Sequence, residues 1–216
     1  YSRFRLSTDP AAVGIASGFL NVVAGGGGLL TVPTMVFMGM PGPVANGTNR
    51  IGVLAQSIAS VIAFARSDFR DFKLSLSLSL CAVPGAVIGA FLGVNLEGVW
   101  FNRSLALIML GVMLITHFDR KGGASKIGHQ PTRRQLLHGH LLMIGVGFWG
   151  GFIQLGVGFI IMPVLNRVMG LDLVRTNMHK VCIVAIYTVV ALLVFASQLE
   201  LFWIVGLILA VGNAIG

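Results

Sequence analysis

Long apolar runs separated by short polar stretches dominate the chain, and they are too long and too continuous for strands. They cover residues 11–40, 44–65, 74–95 and 101–118, and resume after a hydrophilic stretch at 119–138. An α-helix needs ~20 apolar residues to cross a bilayer, and most of the runs supply them. The first run is interrupted by Ala24-Gly25-Gly26-Gly27-Gly28 and Pro33, which divide it into two half-helices. Gln154-Leu155-Gly156-Val157-Gly158 with Pro163 interrupts a later run in the same manner. Successive glycines weaken a helix and free N–H and C=O groups that hydrocarbon cannot satisfy. Such breaks are tolerated beside protein or a water-filled cavity, so they mark a candidate binding site. Leu74–Leu80 alternates like a strand, yet it runs straight into an apolar segment and is predicted helical. In that segment Gly85, Gly89 and Gly93 give one small face, suited to close packing against another membrane helix.

The second half repeats the first. Gly26 matches Gly156, Gly28 matches Gly158, Pro33 matches Pro163, Val44 matches Val174 and Arg50 matches Lys180; Gly85–Gly89 then corresponds to Gly212–Gly216. The organisation expected is a first repeat at 1–118, a basic cytoplasmic linker at 119–138 and a second repeat at 139–216, ending before its last helix. The natural protein is expected to continue with that helix. If each broken segment crosses the membrane, the repeats are parallel; if it folds back as a hairpin, they are inverted. The charged loop 66–73 corresponds to Ser197–Glu200, which has no positive charge. Cytoplasmic loops carry the Lys/Arg excess, so this contrast points to inverted repeats. The fold class is all-α integral membrane: two pseudo-symmetric repeats, each with a glycine-broken first segment.

Composition agrees: 56% of residues are hydrophobic and 10% charged, with a mean hydropathy of +0.89. A barrel would need alternating segments of ~10 residues, which are missing. The net charge of +8 could suggest nucleic acid, but the positive residues sit between apolar runs, as in cytoplasmic loops of a multi-pass inner-membrane protein. No nucleic-acid partner is expected. Cys81 and Cys182 lie in apolar segments without metal-type spacing, and His129 and His138 read as solvated loop residues. Neither a metal nor a cofactor is expected.

Polar residues within the apolar segments are gathered, not scattered. Asn46, Thr48, Asn49 and Arg50 follow the first turn, and Thr176, Asn177, His179 and Lys180 follow its counterpart. A charge inside a membrane segment costs a few kcal/mol and faces a partner or a cavity. Every Asp and Glu lies at or near a segment end, which leaves an anionic substrate as the missing partner. Exposed N–H groups at the glycine breaks, with the positive ends of the half-helices that follow, suit the same ligand. The candidate site therefore comprises Gly25, Gly26, Gly27, Gly28, Asn46, Thr48, Asn49, Arg50, Gln154, Gly156, Gly158, Asn177, His179 and Lys180. The competing reading of Arg50 and Lys180 is snorkelling, since about six residues from the turn is only ~9 Å of helix. On the site reading, Arg50→Ala and Lys180→Ala weaken anion binding far more than folding.

The glycine run Gly18 to Pro33, Pro41-Gly-Pro-Val-Ala-Asn-Gly-Thr48, and the weaker copy from Gly150 to Pro163 resemble the TauE/SafE family of sulfite and organosulfonate exporters. The resemblance implies transport of small sulfur oxyanions, with Gly26, Gly28, Pro33, Ala45, Thr48, Gly156, Gly158 and Pro163 as carried-over positions. Arg175 to Lys180 are more polar and basic than the family's usual turn. The leading reading is a carrier, with a small anion and the lipid bilayer as its partners. An anion channel or an uptake permease is the alternative. A membrane-embedded enzyme would need a nucleophile and base or a metal cluster inside the membrane, and the segments contain neither.

Overall fold

The computed structural model describes residues 27–66, 71–96, 98–118 and 131–215. Among these there are eight helices and no strand: α1 Gly28–Phe37, α2 Gly42–Ala65, α3 Phe72–Val94, α4 Gly98–Phe118, α5 Arg133–Phe152, α6 Val157–Pro163, α7 Leu173–Gln198 and α8 Trp203–Ile215. A π-helical turn, Val164–Val168, continues α6.

Local chemistry sets several of these boundaries. Prolines at 41 and 43 bracket the first residue of α2, where a fixed φ suits a helix start. Thr132 and Gln135 form a capping box at the head of α5, and Asp172 caps α7 by accepting from the Arg175 N–H at 3.0 Å. The capping box corrects the sequence reading at one point: Arg133–His138, expected in the linker, are the first turns of α5. Pro163 removes one helical donor, and the chain answers with the wider π turn, closed by Met169 N–H to Val164 O at 3.1 Å.

The small face on α3 lies against α5. Gly85, Gly89 and Gly93 meet the backbone of Ile144, Phe148 and Phe152 in that order, with no room for a Cβ, and on α5 Gly147 and Gly151 meet the backbone of Ala82 and Ala86. The matching order makes α3 and α5 parallel. α7 is parallel to α3 too, since Ser75 neighbours His179 and Gly93 neighbours Phe195. On the opposite flank α8 runs parallel to α2, with Gly47 against Leu201 and Gly52 against Leu209 and Asn213. Between the flanks α2 and α7 are antiparallel. The start of α2 meets Phe195 near the end of α7, while Gln56 and Ser57 share a cavity with Lys180 near its start.

Polarity is distributed inside out relative to a soluble protein. Leu76, Leu80 and Phe91 on α3, Leu107 and Met113 on α4, and Ile204, Leu207 and Val211 on α8 are exposed, while Asn46, Thr48, Asn49, Arg50, His179, Lys180 and Thr188 are buried. Among the described residues two helices, Phe72–Val94 and Leu173–Gln198, are long and apolar enough to cross a membrane.

Candidate functional site

The turn between α5 and α6 organises the site. α5 is a full helix of 20 residues, after which Ile153–Gly156 leave helical geometry, with left-handed backbone at Gln154 (φ 63°) and Gly156 (φ 65°). A left-handed conformation is routine for glycine and uncommon for glutamine. α6 and its π turn then fold back along α5, because Met169 at their end packs on Gly139 near the start of α5. The start of α6 thus lies inside the bundle, and the start of α1 meets it there: Gly28 sits against Leu155 and Asn49.

Between these two helix starts is a cavity of about 30 Å³. Gly28, Gln56, Ser57, Ser60, Gln154, Gly158 and Lys180 contribute its polar and glycine lining, and Val53, Val157, Val181 and Val184 the remainder. A larger cavity of about 210 Å³ beside Gly156 is lined almost wholly by apolar side chains, so the smaller one has the chemistry for a polar ligand.

The predicted residues separate into groups. Gly28, Gln154, Gly158 and Lys180 line the cavity. Gln154 donates to Thr188 Oγ1 at 2.8 Å, while its Oε1 is buried without a partner. Asn49 stands one layer back and accepts from Thr31 Oγ1. Asn46, Thr48 and Arg50 instead hold helix ends. Asn46 donates to Phe152 O at 2.8 Å, and Thr48 Oγ1 accepts from the Phe202 N–H at 3.3 Å. Arg50 donates to Gly150 O at 2.9 Å and to Gly151 O, with its guanidinium 4.5 Å over the Phe195 ring. The Arg50 charge therefore has protein partners, the last carbonyls of α5, and not an empty space awaiting an anion. His179 contacts Ser75 on α3, and Asn177 is half-buried with Oδ1 unpaired. Gly27 begins the described chain as a buried turn; Gly25 and Gly26 lie outside the described residues, as do His129 and positions 119–130 of the linker. His138 is exposed on α5 rather than in a loop. Among the described residues no cluster of His, Cys, Asp and Glu could hold a metal.

Sequence reasoning left Gln56, Ser57, Ser60 and Thr188 out of the site. The available signal was position: Gln56, Ser57 and Ser60 lie about two to three turns beyond Arg50, facing the helix that carries Lys180.

A helical bundle with an apolar exterior and a small polar cavity, built where two short helices begin, has the build of a membrane protein with an internal polar site. The chain belongs to the TauE/SafE sulfite exporter family: the model described as "Sulfite exporter TauE/SafE" matches residues 11–216. Similar proteins include a probable membrane transporter protein of Haemophilus influenzae, 24% identical over 94% of this chain and 79% of its own length. Another is the probable membrane transporter protein ORF9 of a Sinorhizobium species, 26% identical over 93% and 76%. The probable membrane transporter protein YfcA of Escherichia coli K12 is 25% identical over 94% and 75%. No solved structure matches the chain.

Proposed function

We propose that this transporter carries small sulfur-containing anions, such as sulfite or organosulfonates, through the central cavity, exporting them across the inner membrane. The observation that carries the reading is the meeting of Lys180 with the starts of α1 and of the α6 segment in one cavity. Helix starts carry positive dipole ends, and Lys180 adds a basic side chain, so the wall suits an anion. The family's description as sulfite exporters supports the sulfur class and the outward direction of transport. A cavity of about 30 Å³ favours a carrier over an open pore.

The repeats are read as inverted, and the helix directions support this. Position for position α2 corresponds to α7 and α3 to α8, and α2 and α7 are antiparallel. The packing is reciprocal, with α3 on α7 and α8 on α2. One end of the bundle carries Arg66, Lys73, Arg133, Arg134 and Arg175, and the other Arg103 with Glu200. By the positive-inside rule the first end faces the cytoplasm. The first repeat then runs to residue 118, and the second begins with α5 at Arg133.

Thermal unfolding of the full-length, detergent-solubilised protein with sulfite, sulfate, thiosulfate and methanesulfonate tests the reading. A ligand that binds only the folded state raises its apparent stability. At least one anion should raise Tm for the natural chain and not for Lys180→Gln. If none does, the sulfur-anion reading falls.

A further inference from the structure

The two repeats place the same device at equivalent positions, with one chemical difference. In the first, Asn49 is buried, held by the Thr31 hydroxyl, and followed by Arg50. In the second, His179 is fully buried, 2.7 Å through Nδ1 from Ser75 Oγ, and followed by Lys180. Asparagine and histidine here fill the same place in a duplicated scaffold, but only histidine can take up a proton near neutral pH. Packing alone would be served by an amide in both.

Ser75 Oγ meets Nδ1 at 2.7 Å and also lies 3.4 Å from Asp71 O, while the other ring nitrogen, Nε2, is buried without a partner. A buried ring nitrogen left unpaired in a native fold calls for an explanation. Three charged groups among the described residues act on the ring: Asp71 at the head of α3, and Asp172 and Arg175 at the head of α7. Cys182, a neutral neighbour on α7, shares Ser75 with it. The residue adjacent to His179, Lys180, lines the cavity.

We infer that His179 is a proton-binding site coupled to the anion site, so that a proton travels with the anion. This rests on the central anion site proposed above. A proton taken onto the His179 ring places a second positive charge beside Lys180 and strengthens the hold on an anion; when the anion leaves, the ring returns the proton to water. Coupling is reciprocal, so anion binding must raise the proton affinity of His179 by the factor with which the proton raises anion affinity.

The experiment uses the full-length protein in detergent with methanesulfonate and thiosulfate, whose charge does not change across the range. Affinity is measured from about pH 8 to about pH 5, and proton uptake on anion addition is followed with a pH dye in weak buffer. Affinity should rise on acidification by ~5- to ~150-fold, with proton uptake on binding. His179→Gln should bind with an affinity that pH does not alter and take up no proton. A pH-independent affinity in the natural chain overturns the inference whether or not the variant folds, and pH dependence persisting in His179→Gln overturns it by placing the proton elsewhere. If neither anion binds at any pH, the central anion site fails and the coupling fails with it.

Discussion

Arg50 shows what a buried charge can do without a carboxylate. An α-helix ends with four carbonyls that have no helical partner, and in a membrane interior water does not satisfy them. The guanidinium donates to two of these at the end of α5, Gly150 O and Gly151 O, and stacks on Phe195. A planar fork of donors suits paired acceptors, and a cation also complements the negative end of the helix dipole. The sequence reading expected Arg50→Ala to spare the fold and weaken ligand binding; the geometry reverses this. Arg50→Ala should cost about 2–5 kcal/mol, because each buried group left unpaired costs about 1–3 kcal/mol. Thermal unfolding without ligand should show the loss, and Arg50→Lys should recover only part of it. A variant as stable as the natural chain would refute the capping role. That a cation recurs at 50 and 180 was legible from the repeat. Its use was not, because the carbonyls it satisfies lie 100 residues away in sequence.

At the scale of elements, α3 and α5 meet glycine against backbone. The spacing of Gly85, Gly89 and Gly93 announced a small face on α3, since a helix brings every fourth residue to one side. The matching face on α5, Gly147 and Gly151, was obscured by the other glycines of its run. Gly89→Leu would drive a side chain into the backbone of Phe148 and should prevent a monodisperse, folded protein on size-exclusion chromatography. Gly145, also on α5, has open space where a Cβ would stand. Gly145→Ala should therefore fold normally and gain up to about 1 kcal/mol from helix propensity. Equal behaviour of the two variants would refute the interface. The head of α5 was missed because Arg133, Arg134 and His138 read as solvent-loving linker residues. It takes the reciprocal Thr132–Gln135 cap to turn such a stretch into a helix.

At the scale of the whole molecule, the proposed inversion of the repeats explains how one cavity can serve both faces of the membrane. Two copies of one fold, related by a turn about an axis in the membrane plane, give inward- and outward-facing states that exchange the roles of the repeats. The sequence offered only the contrast between a basic loop at 66–73 and an uncharged-to-acidic one at 197–200. Helix direction could not be read from composition, because an apolar helix looks the same from either end. The contacts supply it: Arg50, early in α2, meets Phe195, late in α7. This predicts that Lys73 and Ser197, both exposed and in corresponding connections, face opposite sides of the membrane. With Cys81 and Cys182 replaced by alanine, Lys73→Cys and Ser197→Cys can be probed in right-side-out vesicles with a membrane-impermeant maleimide. Ser197→Cys should react from outside, and Lys73→Cys only after the vesicles are opened. Labelling of both from the same side would mean that corresponding loops share a face, which parallel repeats require and inverted repeats forbid.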